Sequence, residues 1–262
     1  MGRHSTNYEI SQSKMKKKVY LAALVILVSF SCFVLAYDSM AFQTNQTLSG
    51  LLIRIIHKFQ NEVIFQGNRM VHRLQKGTSQ NDIIVFLGDS LTSSGHWDEW
   101  FPDVETVNAS RWGRDTSQVL ANIDNIAALE ASKIFIMVGI NDLMYPYDKE
   151  IPPLSRIVYN HRQIIDALYR RQPRIQIFLL SILPVNENLL RFENATIKNE
   201  DVRFVNRALK SLAREHRLTY IDLHSLFLDK DQLDPNLTAD GVHINAEAYE
   251  RWVEAIRYHV SQ

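Results

Sequence analysis

The stretch IIVFLGDSLTSS, residues 83–94, runs five apolar residues directly into Gly88, Asp89 and Ser90. An unbroken apolar run of this length that ends in a turn signal is typical of a buried strand in a parallel sheet. The polar residues that follow have two interpretations. Ser90 is either a nucleophile at the end of that strand or only part of a turn that caps a helix. Residues elsewhere in the chain decide between the two.

The same pattern occurs four more times, with short apolar runs separated by segments of helical periodicity. These runs are VETV (104–107), IFIMV (134–138), IQIFLL (175–180) and LTYIDL (218–223). Apolar strands that alternate with helices predict a parallel sheet covered on both faces. We therefore expect a doubly wound α/β domain over residues 81–262, a three-layer α/β/α sandwich with a mostly parallel five-stranded sheet.

The amino-terminal region has a different composition. Four lysines between residues 14 and 18 precede nineteen uncharged residues, 19–37. A helix of that length spans roughly 28 Å, close to the thickness of the hydrocarbon core of a bilayer. The lysines predict a cytoplasmic basic tail (1–18), a transmembrane signal anchor (19–37) and an extracytoplasmic remainder. The alternative is secretion after cleavage near Ala36.

Residues 38–80 connect this segment to the predicted domain. They begin as a polar linker, and apolar residues then recur at helical spacing between residues 51 and 76, which predicts an amphipathic helix. Such a helix can pack on the domain or lie along a membrane surface. The sequence leaves both arrangements open.

Composition argues against several other classes of protein. Lys plus Arg and Asp plus Glu are equal at 29 each, so no overall field attracts a nucleic acid. The single cysteine, Cys32, cannot form an intramolecular disulfide and has no second cysteine for a structural zinc site. We expect no nucleic-acid partner, and the sequence indicates no protein partner.

Polar segments follow the predicted strands, and in a doubly wound domain ligands bind beyond the carboxyl ends of the strands. We therefore expect these segments to meet at one edge of the sheet. They are Ser90, the loop at 108–117, GIND (139–142) and, after an intervening loop, DGVH (240–243).

A serine nucleophile needs a base, and the base needs a group that orients it. His243 can be that base, because an imidazole both accepts and returns a proton near neutrality. Asp240 reaches the other ring nitrogen if DGVH forms a turn. The backbone N–H groups of Ser90 and Gly113 and the side-chain amide of Asn141 can supply hydrogen bonds to an oxyanion.

These motifs resemble those of the GDSL, or SGNH, family of serine esterases and acylhydrolases. Gly88-Asp89-Ser90-Leu91 matches the first motif of the family, residues 139–142 match the third and residues 240–243 match the last. The resemblance spans residues 82–257. It implies the flavodoxin-like SGNH hydrolase fold and ester cleavage through an acyl-enzyme intermediate, with no metal and no organic cofactor.

The second motif of the family fits this chain less well. Ser110 stands in place of its first glycine, and Arg114 lengthens the stretch. The resemblance implies that Gly113 supplies an oxyanion donor, and the N–H of Arg114 is the alternative. Thr92 stands two positions after Ser90, where the nucleophile elbow of the α/β-hydrolases has a glycine. A serine hydrolase of a different build is therefore expected.

Together, the predicted anchor and the family resemblance indicate a membrane-anchored extracytoplasmic serine esterase in which Ser90 attacks the ester, His243 acts as base and then as acid, and Asp240 orients His243. The chain is similar to the acetylesterase-like branch of the family, so small-molecule or carbohydrate esters, first of all acetyl esters of carbohydrates, are the expected substrates. Two alternatives use the same residues. One is an O-acyltransferase that moves an acetyl group to a sugar hydroxyl, and the other is a lysophospholipase-type lipid esterase.

Further residues have both functional and structural interpretations. His96 either lines the pocket or lies on the surface, and His161 falls on the apolar stripe of its helix and is expected to be packed. Asp142 is expected to form a turn. Trp97, Trp100 and Phe101 are expected in the core or at the rim of the site. Trp112 and Arg111 either contact the substrate or are, respectively, packed and solvated. The asparagines of the N-x-S/T sequences, at positions 45, 108, 194 and 236, are expected to be chance occurrences.

Overall fold

The computed structural model describes residues 83–146, 152–192, 195 and 197–262. The expected tail, anchor, linker and amphipathic helix, residues 1–80, lie outside the described residues, and so do Cys32, Asn45 and Asn194. Within the described ranges no helix is both long enough and apolar enough to cross a bilayer.

A five-stranded sheet forms the centre of the fold. Its strands are β1 (Ile83–Gly88), β2 (Glu105–Asn108), β3 (Lys133–Met137), β4 (Gln176–Leu180) and β5 (Thr219–Ile221), in the order β2-β1-β3-β4-β5. Every pair in this sheet is parallel. The five predicted strands are confirmed, and the sheet is parallel throughout.

A second, antiparallel pair was not predicted. It consists of β6 (Leu228–Asp229) and β7 (Gln232–Leu233). Two residues per strand are too few for a period-2 pattern to be recognised. Lys230 and Asp231, which join the strands, both have positive φ, as a tight connection requires.

Helices cover both faces of the sheet. They are α1 (Ser90–Ser93), α2 (Trp97–Trp100), α3 (Thr116–Ala121), α4 (Ile123–Ala127), α5 (Ile140–Met144), α6 (Pro153–Arg171), α7 (Asn199–Glu215) and α8 (Ala246–Ser261), with short 3₁₀ turns at His224–Phe227 and Pro235–Leu237. Helix α6 packs against α3, α4, α5 and α7, which together form one outer layer.

Aromatic side chains dominate the core under α8. Phe86, Phe135 and Phe178 are paired in register on three adjacent strands. Their rings stack with centroids 5.2 and 4.5 Å apart. Trp97 stacks on Phe86 at 4.1 Å, and Trp252 of α8 meets Trp97 edge to face at 5.3 Å. Because side chains alternate along a strand, the intervening residues of the same strands face the other helical layer. The result is the predicted three-layer sandwich.

The junction between β1 and α1 is closely packed at Gly88. A Cβ atom added to Gly88 would lie 2.2 Å from the Met137 carbonyl oxygen and 2.2 Å from the Thr92 Oγ1 atom. Thr92 is buried, and its hydroxyl donates to that same carbonyl at 3.4 Å. The close approach therefore requires a glycine at position 88, before Ser90, whereas position 92, two residues after Ser90, holds a threonine.

Asp89 is a buried carboxyl that caps the one-turn helix α1. Its Oδ1 atom accepts the Leu91 N–H at 3.0 Å. Burial raises the pKa of Asp89 from 3.8 to about 7; the Leu91 N–H opposes this rise, and the negative charge of Asp142 adds to it. The residue before the candidate nucleophile thus keeps its proton to a much higher pH than an exposed aspartate does.

Replacing Gly88 by alanine is expected to destabilise the fold by about 2 kcal/mol or more, because the new methyl group overlaps a carbonyl oxygen of β3. Ser93→Ala is the matched control in α1, since the Ser93 side chain makes no hydrogen bond within the described part of the chain. Chemical denaturation of both variants measures the effect. Equal stability of the two variants would contradict the packing described at Gly88.

The buried carboxyl of Asp89 predicts a pH dependence of stability. The folded chain holds this proton to about pH 7, whereas the unfolded chain releases it near pH 3.8. Stability is therefore lost as pH rises from about 4 to about 7. Asp89→Asn keeps the Oδ1 acceptor without titrating. Its stability relative to the wild type should rise by roughly 2 to 4 kcal/mol across this window.

Unfolding free energies at several pH values measure that difference. Ser93→Ala in the same helix provides the control, because it changes no ionisable group and should leave the pH dependence unchanged. A stability difference between Asp89→Asn and the wild type that stays constant from pH 4 to 7 would sink the prediction.

Candidate active site

Ser90 is the first residue of α1, directly after the capping Asp89. A one-turn helix has no later turn to satisfy its carbonyl groups, so other donors must reach them. The Asn108 amide nitrogen lies 3.3, 3.0 and 3.3 Å from the carbonyl oxygens of Thr92, Ser93 and Gly95, which share its two N–H groups. The sequon asparagine at the end of β2 is therefore a structural clamp on the helix that carries Ser90.

Two aromatic residues complete the support of α1. The Trp97 Nε1–H donates to the Thr92 carbonyl at 2.9 Å, and the Tyr249 hydroxyl donates to the Leu91 carbonyl at 2.6 Å. Trp97 and Phe101 are buried, as expected for core residues. The backbone that positions Ser90 is thus held from β2, α2 and α8.

Ser90, His243 and Asp240 form a continuous row of hydrogen bonds. The distance from Ser90 Oγ to His243 Nε2 is 3.0 Å, and His243 Nδ1 lies 2.7 Å from Asp240 Oδ2. An ionised carboxylate can only accept, so Nδ1 carries the hydrogen and Nε2 is free to accept the Ser90 hydroxyl proton. Ser90 itself is only 5% exposed.

The DGVH segment is a turn in which the aspartate holds the backbone that follows it. Asp240 Oδ1 accepts the N–H groups of Val242 and His243 at 2.9 and 2.8 Å. Thr238 Oγ1 accepts the Gly241 N–H and donates to the His243 carbonyl. Gly241 has φ +89, and a Cβ there would lie 2.7 Å from the Asn186 carbonyl oxygen, so only glycine fits this turn.

Asp240 carries a negative charge at neutral pH. Burial acts to raise its pKa, but the hydrogen bonds from the His243 ring and from the Val242 and His243 N–H groups outweigh burial and lower the pKa below its usual value. A carboxylate that stays ionised and accepts from Nδ1 favours the ring tautomer with a free Nε2, and it would stabilise an imidazolium.

The three expected oxyanion donors lie at the same edge of the sheet. The Asn141 Nδ2 atom donates to the Arg114 carbonyl at 3.0 Å, which orients the amide and leaves its second N–H available. The Arg114 N–H donates to the Arg111 carbonyl at 3.3 Å. Gly113 has φ +69, and space is open on its side-chain face. Its N–H has no hydrogen-bond partner in the described ranges, so Gly113, not Arg114, has the free amide.

The expectation for Asp142 was wrong. It is fully buried, and its carboxylate accepts the N–H of Thr116 at 2.9 Å, the Thr116 hydroxyl at 2.7 Å and Arg156 Nε at 3.4 Å. Burial raises its pKa, and the bonds from Thr116 oppose the rise. Asn160 donates to the same Thr116 hydroxyl at 2.8 Å. Asp142 therefore ties the start of α3, after the 109–115 loop, to the start of α5, which carries Asn141.

The other candidate residues separate clearly. His96 is exposed, and its ring pairs with Glu99. His161 is buried, its Nδ1 bonds the Ile157 carbonyl, and burial lowers its pKa to about 4, as fits a packed residue. Trp112 is exposed, yet its ring lies 4.9 Å from that of His243. Within the described ranges no group of three metal-binding side chains occurs.

Known structures share this fold. A Streptococcus pneumonia protein described as a candidate platelet activating factor superposes with a TM-score of 0.62 at 26% identity, covering 83% of this chain and 100% of that one. An acetyl xylan esterase superposes with a TM-score of 0.57 at 18% identity, covering 68% of this chain and 99% of that one. The second likeness is one of fold alone.

Two curated proteins match this chain at 25 to 26% sequence identity. A GDSL esterase/lipase of Oryza sativa subsp. japonica is 26% identical over 196 residues, which cover 66% of this chain and 75% of that protein. An N-acylneuraminate cytidylyltransferase of Streptococcus agalactiae is 25% identical over 165 residues, which cover 63% of this chain and 35% of that protein. The chain thus spans about a third of the cytidylyltransferase.

The family comparison covers all the motifs considered above. The model of the GDSL-like lipase/acylhydrolase family matches residues 86–251, more than half of the chain and a range that includes both Ser90 and His243. The family resemblance drawn from the motifs is confirmed: this chain belongs to the GDSL-like lipase/acylhydrolase family.

Proposed function

We propose that this protein is a serine esterase that hydrolyses acyl esters through a covalent acyl-enzyme. One observation carries the proposal. The Ser90 hydroxyl, the His243 ring and the Asp240 carboxylate stand in an unbroken hydrogen-bonded row with distances of 3.0 and 2.7 Å. Nucleophile, base and orienting group within such distances are what nucleophilic catalysis by serine requires.

In the first half of the reaction, Ser90 Oγ attacks the ester carbonyl carbon while His243 Nε2 takes the hydroxyl proton. The N–H groups of Ser90 and Gly113 and the second N–H of Asn141 hydrogen-bond the oxyanion. The Asp240 carboxylate stabilises the imidazolium. His243 Nε2 then gives its proton to the ester oxygen, the carbon–oxygen bond breaks, and the alcohol leaves.

In the second half, water replaces the alcohol beside His243. His243 Nε2 removes a proton from this water, whose oxygen attacks the acyl carbon. The tetrahedral intermediate collapses, Ser90 recovers its proton from His243, and the carboxylic acid is released. Every proton in this sequence passes through His243 Nε2, which explains why Nε2 must face Ser90 while Nδ1 faces Asp240.

The acyl group is proposed to be acetyl and the alcohol to be a carbohydrate. The resemblance of the motifs to the acetylesterase-like branch supports this assignment, and the acetyl xylan esterase that shares the fold is consistent with it. The experiment that tests it measures kcat/KM on acetylated sugars, simple alkyl acetates and lysophospholipids with the full-length chain. A preference for lysophospholipids would overturn the carbohydrate assignment.

The proposed mechanism predicts the effect of removing each member of the hydrogen-bonded row. Ser90→Ala and His243→Ala should each lower kcat by several orders of magnitude, on the order of 10⁶ by analogy with well-studied serine hydrolases. Asp240→Asn should lower kcat by roughly 10⁴, because the amide no longer favours the required tautomer. Steady-state hydrolysis of an acetyl ester measures all three.

Matched controls distinguish chemistry from folding. Ser93→Ala lies in the same helix as Ser90, and His96→Ala removes an exposed histidine, so both should keep wild-type activity. Thermal unfolding of every variant checks that the fold persists. Ester cleavage at the wild-type rate by purified, folded Ser90→Ala would refute the mechanism.

We also propose that residues 19–37 anchor the chain in a membrane with residues 38–262 on the extracytoplasmic side. The support is in the sequence, where nineteen uncharged residues follow four closely spaced lysines. A catalytic domain held in this way would act on esters outside the cytoplasm.

Fractionation of cells that express the full-length chain tests the anchor. The protein should stay in the membrane fraction at high salt and be released by detergent, and amino-terminal analysis of the membrane-bound form should find residues 19–37 retained. A chain without residues 1–37 should leave the membrane fraction. Recovery of a soluble mature form that begins near Tyr37 would instead establish cleavage.

A further inference from the structure

Trp112 is exposed to solvent and yet contacts the ring of His243. Its side chain is 66% exposed, the second-largest exposure among the large apolar side chains of the described residues. Its ring nevertheless lies 4.9 Å from the His243 ring, tilted by 30°. One face of the indole thus covers the candidate base, and much of the remaining surface is open to a ligand.

A second aromatic ring stands on another side of the same histidine. Phe192 is half-buried and meets His243 edge to face, with ring centroids 5.7 Å apart. The imidazole is therefore flanked by Trp112 and Phe192, while its Nε2 atom faces Ser90. A substrate that approaches Nε2 must pass beside these rings.

The chemistry determines which part of the substrate lies there. To protonate the leaving oxygen, His243 Nε2 must come within about 3 Å of it. The alcohol portion of the ester, not the acyl portion, is attached to that oxygen. The residues that flank His243 consequently line the subsite of the alcohol.

The loop that carries Trp112 is firmly braced. The Arg111 N–H donates to the Gly88 carbonyl at 3.2 Å, and the Ser110 hydroxyl donates to the Phe86 carbonyl at 3.1 Å. The Arg114 guanidinium is buried and donates to the Ala109 carbonyl at 2.9 Å. Trp112 is thus presented to solvent by a backbone tied to β1. A ring held in place before binding loses little entropy when a ligand stacks on it.

We propose that Trp112 is the platform on which the sugar ring of the alcohol stacks, and hence the residue that selects carbohydrate esters. The inference rests on the proposed esterase function. A sugar ring has an apolar C–H face and a hydroxyl-bearing edge. Trp112 offers a flat apolar face, and the exposed Arg111 beside it offers hydrogen-bond donors to the hydroxyls.

The test compares two acetates that form the same acetyl-enzyme, an acetylated methyl xylopyranoside and ethyl acetate. Trp112→Ala in the full-length chain should lower kcat/KM for the sugar acetate about tenfold and leave ethyl acetate within about twofold of the wild type. Trp112→Phe should recover most of the loss. Tyr159→Ala, which removes an aromatic side chain that is 61% exposed on α6, should change neither value.

Each result decides the matter. An equal loss on both acetates would mean that Trp112 only positions His243, and no loss on either would mean that the sugar does not touch it; both overturn the proposal. Lysophospholipid hydrolysis is measured with the same variants, and a loss confined to that substrate would overturn the proposal by assigning the platform to lipid esters. Ser90→Ala in the same assay keeps the two proposals apart. If Ser90→Ala retains activity, the esterase mechanism fails; if it is inactive while Trp112→Ala is unchanged, only the platform fails.

Discussion

The absence of a side chain at Gly88 is the constraint on which the site depends. The end of β1 lies so close to the Met137 carbonyl of β3 and to the Thr92 hydroxyl that a single methyl group would overlap both. Because of this contact, the chain turns from strand to helix within two residues, and Ser90 emerges at the carboxyl edge of the sheet. A looser junction would give the serine hydroxyl several positions, and a base 3.0 Å away would meet it only part of the time.

Buried asparagines hold the segment that connects the sheet to the turn carrying His243. Asn206 and Asn199 of α7 each pair with both the N–H and the carbonyl of one residue after β4, Ile182 and Val185 respectively. In this way a side-chain amide replaces the neighbouring strand that the segment has lost. The segment continues to Asn186, whose N–H donates to the Gly241 carbonyl at 2.8 Å. A backbone group left unpaired here would cost about 1 to 3 kcal/mol, so the amides both stabilise the segment and fix the turn that carries His243.

The carboxyl groups near Ser90 differ in charge because their surroundings differ. Asp240 is half-buried and receives hydrogen bonds from a ring and two backbone N–H groups, which lower its pKa. Asp89 is fully buried, and the backbone N–H groups beside its carboxyl do not offset the burial, so its pKa rises to about 7. The proposed chemistry needs an ionised carboxylate beside His243, and the capping role of Asp89 needs only an oxygen that accepts. The two aspartates thus have different roles: Asp240 is an ionised partner of His243, and Asp89 is a hydrogen-bond acceptor that caps α1.

Local sequence patterns predict the five strands and the polar residues that follow them. Because apolar runs are local, they predict each strand to within a few residues, and the rule for parallel sheets places Ser90, Asn141 and His243 at one edge. Roles that depend on pairs of residues distant in sequence emerge only from the contacts of the folded chain. Asp142 is predicted to form a turn, but its carboxylate accepts a hydrogen bond from the N–H of Thr116, 26 residues earlier. Asn108 is predicted only as a chance sequon, and Trp112 is predicted either as a substrate contact or as a packed residue. A side chain's partners across a fold leave no trace in local periodicity, because period and propensity describe the neighbours along the chain, whereas burial and hydrogen bonding depend on the neighbours in space.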